Sequence, residues 1–204
     1  MPASFTNLPN LLTLSRIAAI PVIVALFFVR ADWAAWLACA VFTVAAVTDY
    51  FDGYLARQRA EVSPFGKLLD PIADKMLVAA TLFALIGFGR LGGISIIPAL
   101  IILLREILIS GVREFLAGYG GKGLPVSRLA KWKTAVQMVA LGVLIVGDYG
   151  PDVIPVRQIG VVGIWIASVL TAVTGWDYVR EGIRQVVQVS KDKRSSTGAA
   201  ETVG

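Results

Sequence analysis

Four aspartates occur at two short spacings in the first half of the chain. Asp49 and Asp52 are three residues apart, and Asp70 and Asp74 are four residues apart. On an α-helix each spacing places both carboxylates on one face. Carboxylates that converge repel one another unless a cation lies between them, and all-oxygen donors suit magnesium, manganese or calcium rather than zinc. The pattern predicts a site for two divalent cations, an arrangement that clamps the attacking and leaving oxygens of a phosphoryl displacement.

The elements that must position these aspartates are apolar blocks of about 20 residues, the length of a membrane-spanning helix. The 204 residues are 56% hydrophobic and only 16% charged, and the mean hydropathy is +0.74. These values predict an all-α membrane protein with six transmembrane helices and exclude an ordinary soluble domain. We place the helices near residues 10–29, 33–54, 66–87, 94–116, 129–148 and 156–179. A short loop joins the second helix to the third, so the two run antiparallel and bring the four carboxylates together.

Lysine and arginine indicate the orientation of these helices, because both collect in cytoplasmic loops. Only Arg30, Arg90 and Arg157 would lie on one side. The other side would hold thirteen basic residues, namely Arg57, Arg59, Lys67, Arg113, Lys122, Arg128, Lys131, Lys133, Arg180, Arg184, Lys191, Lys193 and Arg194. We therefore expect the aspartates near the cytoplasmic side and both termini in the cytoplasm. The net charge of +5 then reflects topology and anionic membrane lipids, not nucleic acid.

Two further features limit the chemistry and the domain organisation. The chain contains no histidine, so a general base must be a carboxylate, a lysine or something rarer. A carboxylate beside the metals is the best-placed candidate, and Lys75 is a weaker one. The single cysteine, Cys39, lies in an apolar run and cannot form an internal disulfide. Residues 1–185 would form one membrane domain, and residues 186–204, which become small, polar and aperiodic from Lys191, would form a flexible cytoplasmic tail.

The aspartates belong to a longer motif. From Asp49 to Asp74 the chain has the pattern D-x2-D-G-x2-A-R-x8-G-x3-D-x3-D. This pattern resembles, without a departure, the motif of the CDP-alcohol phosphotransferase family. The resemblance implies six membrane helices, a homodimer, and the displacement of CMP from a CDP-linked donor by an alcohol, aided by two divalent cations, Mg²⁺ or Mn²⁺. It implies that Asp49, Asp52, Asp70 and Asp74 bind metal, that Asp74 is also the base, and that Gly53, Ala56, Arg57 and Gly66 shape the CDP pocket.

Segments outside this motif resemble one particular group of enzymes within the family. Residues 7–16, 105–114 and 131–138 look like the corresponding parts of the family's bacterial phosphatidylglycerophosphate synthases. The resemblance then implies a multi-pass protein of the bacterial inner membrane, with CDP-diacylglycerol as donor and glycerol 3-phosphate as acceptor. This acceptor is a dianion, so its pocket needs cations, and Arg105, Arg113, Lys131 and Lys133 are available near the cytoplasmic side. Asn10 and Thr13 lie one turn apart on the first helix, with Arg16 another turn on, and these residues could line the nucleotide pocket. Alternatively, Asn10 caps the helix and Thr13 bonds the backbone.

Two alternatives stay open at the level of sequence. A sister enzyme would use the same chemistry on serine, inositol phosphate or phosphatidylglycerol. A divalent-cation transporter would use the aspartates as an ion path. Such a path should continue to the far side of the membrane, where the only acidic residues are Asp32, Asp148 and Asp152, all at loop positions.

Overall fold

A computed structural model describes the backbone of residues 8–59, 64–118 and 128–201, and the side chains of residues 10–48, 69–116, 132–176 and 178–186. Six α-helices occupy these ranges, together with two short 3-10 turns, Gly93–Ser95 and Gly147–Tyr149, and no strand is present in them. The helices are α1 Leu8–Phe27, α2 Asp32–Arg59, α3 Pro64–Gly87, α4 Ile96–Gly118, α5 Arg128–Val146 and α6 Val156–Glu201. Each predicted span overlaps one of them, which confirms the all-α prediction.

Composition marks three of these helices as long and apolar enough to cross a membrane within the described residues. The segments are Asn10–Phe27, Gly93–Leu116 and Val156–Val186, and a shorter apolar segment covers Asp32–Thr48. The protein is an all-α membrane protein. The starts of α3 and α5 carry charged residues such as Asp70, Asp74 and Lys133, and six complete crossings stay a prediction.

Local sequence explains where the helices begin and end. Pro64 opens α3, where its missing N–H costs nothing, and Asp32 lies in the first turn of α2, where its charge complements the helix dipole. After α3 and α5 the chain turns at Gly89 and Gly147, whose φ angles of 71° and 52° favour glycine.

The last helix is longer than predicted. We expected the membrane helix to end near residue 179, within a membrane domain that reaches residue 185, but α6 continues to Glu201. No proline follows Pro155 in the chain, so nothing forces the helix to stop. The predicted end of the last helix is therefore wrong, whereas the flexible cytoplasmic tail over residues 186–204 stays a prediction.

The helices pack around one apolar core. α1 packs on α2 and α3, while α6 packs on α4 and α5, and α2 contacts α5. Small residues allow the closest approach: a Cβ at Gly160 would lie 2.7 Å from Leu144 Cγ, and one at Gly163 would lie 2.9 Å from Ala140 Cβ. Large apolar side chains such as Phe83 and Val139 are exposed on the outside of the bundle, as expected of a surface that faces lipid.

Two arginines, Arg90 and Arg157, connect the loops at the end of the bundle where α3 and α5 end. Arg90 is buried, donates to the carbonyl of Ile145, and stacks on the rings of Phe27 and Tyr149 with centroid distances of 4.4 and 4.8 Å. Burial lowers the pKa of the Arg90 guanidinium, and Tyr149 and Asp148 oppose that shift. Arg157 donates to the carbonyls of Gly89 and Arg90 at 2.8 and 3.2 Å. Both were predicted only as topology charges, and here they also join two loops.

Candidate functional site

A cavity of about 350 Å³ lies between α3 on one side and α4, α5 and α6 on the other. It is located toward the end of the bundle where α3 begins, α4 ends and α5 begins, opposite Arg90. Four basic and three acidic side chains line it: Lys75, Arg105, Arg113, Lys133, Asp74, Glu106 and Glu114. Seven ionisable groups around one cavity in a membrane protein indicate a functional site, because charge inside a helical membrane bundle is costly.

The α3 wall of the cavity carries the predicted base. Asp74 is half-buried and lines the cavity together with Pro71 and Val78. Lys75, the weaker candidate for the base, donates to the carbonyl of Pro71 at 3.0 Å. A carboxylate at this wall can accept a proton from a molecule bound in the cavity.

The opposite wall is a cluster of charges on α4 and α5. Glu106 Oε1 accepts from Lys133 Nζ and lies 3.6 Å from Arg105 Nη1. The Lys133 side chain is 3% exposed and that of Arg105 is 13% exposed. The helical register that places Lys133 here also points the neighbouring Trp132 outward, where it is 69% exposed.

The third wall, from α6, holds the arginines of α4. The ring of the buried Tyr178 contacts both guanidinium groups, with centroid distances of 5.5 Å for Arg105 and 5.2 Å for Arg113. Arg105 Nη2 also lies 3.4 Å from Thr174 Oγ1. Gly175 permits this approach, since a Cβ there would lie only 2.9 Å from Arg105 Cγ. The hydroxyl of Tyr178 has no hydrogen-bond partner among the described residues, although it is buried at the cavity.

Asp70 faces α1, one helical turn before Asp74. Its Oδ1 accepts from Arg16 Nη1 at 3.2 Å and lies 3.5 Å from Thr13 Oγ1. Arg16, Thr13 and Asn10 are all buried on α1, whereas the Asp70 side chain is 47% exposed. α1 thus presents a buried polar face to the start of α3, and the roles of Asn10 and Thr13 stay predictions.

The structure therefore brings together part of the predicted site. Asp74, Arg105, Arg113 and Lys133 line one cavity, and Asp70 contacts Thr13 on the neighbouring side of α3. The other predicted positions lie in α2, α3 and α5 by their backbone, but their side chains lie outside the described residues; these are Asp49, Asp52, Gly53, Ala56, Arg57, Gly66 and Lys131. Their roles stay predictions.

The residues that are described fit a divalent-cation site in their chemistry. Asp70 and Asp74 are hard oxygen donors on consecutive turns of α3. Among the described side chains, Arg16 and Thr13 both contact Oδ1 of Asp70, which would leave the second carboxylate oxygen for a cation. With Asp49 and Asp52 on α2, this pair would complete an all-oxygen donor set.

Several site residues were missed by the sequence analysis. Arg16 was expected only as a further polar group near the nucleotide pocket, and its ion pair with Asp70 was not predicted. Glu106 lies beside Arg105 in the sequence, but its contact with Lys133 depends on how α4 packs on α5. Tyr178 and Thr174 carry no sequence signal, because aromatic and hydroxyl residues are common at the ends of membrane helices.

Comparison with known proteins agrees with this geometry. Residues 6–173 match the model of the family described as CDP-alcohol phosphatidyltransferase. The chain belongs to this family. It is 47% identical over 174 residues to the CDP-diacylglycerol–glycerol-3-phosphate 3-phosphatidyltransferase of Rickettsia bellii. The aligned region covers 85% of this chain and 94% of the relative. The enzyme of the same name from Cereibacter sphaeroides is 39% identical over 212 residues, covering 87% and 96%.

A relative with a different name is also similar. The cardiolipin synthase (CMP-forming) of Oryza sativa subsp. japonica is 44% identical over 154 residues, which cover 71% of this chain and 47% of the relative. Family membership therefore favours a transferase over the divalent-cation transporter, while the acceptor has to be argued from the cavity.

Proposed function

We propose that this protein transfers the phosphatidyl group of CDP-diacylglycerol to sn-glycerol 3-phosphate, giving phosphatidylglycerophosphate and CMP. The observation that carries the proposal is the single cavity that combines the carboxylate of Asp74 with the cations Arg105, Arg113 and Lys133. A phosphorylated alcohol needs both: cations for its phosphate and a base for its hydroxyl. The names of the relatives from Rickettsia bellii and Cereibacter sphaeroides support the same donor and acceptor.

The acceptor would bind with its phosphate against the α4, α5 and α6 walls and its free hydroxyl toward α3. Arg105 and Arg113, both in contact with Tyr178, would donate to the phosphate, and Lys133 would add a third positive charge. Asp74 would take the hydroxyl proton as the acceptor oxygen bonds to the phosphorus of the phosphatidyl group. The bond from that phosphorus to CMP breaks, and CMP leaves with the electron pair.

The donor would bind on the α1 side of α3. Asn10 and Thr13 form part of a buried polar face there, and Gly53, Ala56, Arg57 and Gly66 would complete the CDP pocket. Two divalent cations, Mg²⁺ or Mn²⁺, held by Asp49, Asp52, Asp70 and Asp74, would neutralise charge on the attacking and leaving oxygens. Arg16, through its contact with Asp70, would fix the orientation of that carboxylate.

The cellular setting belongs to the same proposal. The basic residues favour a multi-pass protein of the bacterial inner membrane with both termini in the cytoplasm, where glycerol 3-phosphate is available. The family resemblance favours a homodimer, and the exposed apolar side chains of the bundle favour contact with membrane lipids. The cavity would then face the cytoplasm.

The identity of the acceptor distinguishes this function from that of a sister enzyme with the same chemistry. Serine, inositol phosphate and phosphatidylglycerol are the alternatives, and the cardiolipin synthase relative favours the last of them. A zwitterionic acceptor would leave several of the cavity's cations without a partner.

An acceptor panel tests the proposal. The purified protein in detergent micelles receives CDP-diacylglycerol and Mg²⁺, and CMP release is measured with each acceptor in turn. We expect release with glycerol 3-phosphate and little with the others. In the Arg105→Gln variant the release should fall, while Arg184→Gln, which removes an arginine that is 62% exposed on α6, should behave as the unmodified protein. Faster release with phosphatidylglycerol than with glycerol 3-phosphate would overturn the proposed acceptor.

A further inference from the structure

Glu106 occupies a central place in the charge cluster of the cavity. One of its oxygens, Oε1, contacts cations from two different helices, Arg105 on α4 and Lys133 on α5. Its side chain is 18% exposed, and both cations are more deeply buried. The carboxylate is therefore shared, and it joins α4 to α5 at the wall where the acceptor phosphate would bind.

Without this carboxylate the two cations would be poorly held. Buried like charges repel, and a buried cation that loses its counter-charge carries a large desolvation cost. Long arginine and lysine side chains have several rotatable bonds and turn toward water when nothing fixes them. α6 also contacts Arg105, through Thr174 and Tyr178, whereas the bond from Lys133 to Glu106 is its direct contact among the described side chains.

We propose that Glu106 is a positioning residue for the acceptor: it holds Arg105 and Lys133 at the fixed spacing that receives a phosphate dianion, without itself touching the substrate. This inference rests on the proposed function, because it assigns these two cations to the acceptor phosphate. Placing a carboxylate in this cluster has a disadvantage for binding an anion. The carboxylate lowers the net positive charge of the cavity, so its benefit lies in preorganisation, not in attraction.

The test compares Glu106→Gln with Glu181→Gln. Both variants exchange a carboxylate for an amide of nearly equal size, but Glu181 lies on α6 in a surface pair with Arg184, 3.9 Å apart. Initial rates are measured while glycerol 3-phosphate and CDP-diacylglycerol are varied separately. We expect Glu106→Gln to raise the KM for glycerol 3-phosphate by about tenfold to a hundredfold, the loss expected for a charge-assisted contact. The KM for CDP-diacylglycerol should stay within about twofold, and Glu181→Gln should change neither.

A double-mutant cycle separates positioning from general stability. Lys133→Met and Glu106→Gln are measured singly and together, and the thermal midpoint of each variant is recorded. If Glu106 acts through Lys133, the combined KM increase should be clearly smaller than the product of the two single increases. If Glu106→Gln does not fold, Glu106→Asp replaces it, since that variant keeps the charge but shortens the side chain and should raise the same KM.

These measurements separate a failure of the role given to Glu106 from a failure of the proposed transferase function. If the unmodified protein releases no CMP in response to glycerol 3-phosphate, the proposed function fails. If it does, but a folded Glu106→Gln variant keeps the KM for glycerol 3-phosphate, or the two single effects multiply independently, then the positioning role of Glu106 is refuted and the function stands.

Discussion

Gly175→Ala should weaken acceptor binding by displacing Arg105 without changing any charge. A Cβ at position 175 would lie 2.9 Å from Arg105 Cγ and 3.5 Å from its Nε. Ordinary contact begins near 3.4 Å, so the Arg105 side chain must shift by about half an ångström at Cγ and by more at the guanidinium, which lies farther along the chain. Its contacts with Thr174 and Tyr178 would both lengthen.

The displacement of Arg105 sets the expected size of the effects on stability and on acceptor binding. Overpacking of this kind costs about 1–3 kcal/mol of stability, and loss of a charge-assisted contact to the acceptor phosphate costs about 1.5–3 kcal/mol of binding free energy. We therefore expect the KM for glycerol 3-phosphate to rise about tenfold to a hundredfold. The KM for CDP-diacylglycerol should stay nearly constant, because Arg105 faces the cavity and not the α1 side of α3.

A matched control is available on the same helix. A Cβ at Gly182 would lie 2.7 Å from Val112 Cγ1, so Gly182→Ala also overpacks α6 against α4. This contact lies beside a separate apolar groove that includes Phe115 and Ile183. Both variants should lower the thermal midpoint, and only Gly175→Ala should change the acceptor kinetics, measured as CMP release. Equal KM values for glycerol 3-phosphate in the two folded variants would refute the role given to Arg105.

Four further predictions concern the base, the metal site, the far end of the bundle and the topology. Asp74→Asn should keep donor binding and lose rate by about 10²–10⁴-fold, because no histidine can replace the base; equilibrium binding and single-turnover CMP release measure this. Asp70→Asn should abolish activity without unfolding the protein, as should removal of divalent cations with EDTA, and the chelated enzyme should recover with Mg²⁺. Arg90→Met should lower the free energy of unfolding by about 2–4 kcal/mol, because it removes a buried bond to a carbonyl and two ring contacts, while kcat in the folded fraction stays unchanged. A reporter fused after Gly204 should be active only if it is one that functions in the cytoplasm.

Each of these has an outcome that contradicts it. An Asp74→Asn enzyme that kept its rate and lost only donor affinity would make Asp74 a ligand and not the base. Near-normal turnover of Asp70→Asn at limiting Mg²⁺ would remove Asp70 from the metal site. If Arg90→Met unfolded with the same thermal midpoint as the unmodified protein, Arg90 would not stabilise the loops at the far end of the bundle. A periplasmic reporter that became active at the C-terminus would reverse the orientation.

Helix positions were predictable because long apolar blocks carry a strong signal. α1, α4 and α5 begin and end within about two residues of the predicted limits, since prolines, glycines and charged turns bound them. α6 was not predictable at its end, because the polar residues after 186 are compatible with helix and with coil alike, and nothing in the sequence breaks the helix.

The site was predictable in its residue types more than in its contacts. The spacing predicted Asp70 and Asp74 on one face of α3, and in the structure Asp74 lines the cavity while Asp70 contacts α1. The need for cations indicated Arg105, Arg113 and Lys133, which line the same cavity as Asp74. Contacts between helices depend on rotation and depth, which a single sequence does not specify. For this reason the pairs Arg16–Asp70 and Glu106–Lys133, and the stacking on Tyr178, emerged only from the structure.

Radioactive label in the acceptor shows directly whether the acceptor becomes part of the lipid product. Purified protein is given CDP-diacylglycerol, Mg²⁺ and glycerol 3-phosphate labelled with carbon-14, and both CMP and chloroform-extractable label are measured over time. The proposed function predicts that label enters the lipid phase as phosphatidylglycerophosphate in amounts equal to the CMP released, and that neither appears without the acceptor. CMP release that proceeds while all label stays in the aqueous phase would contradict it.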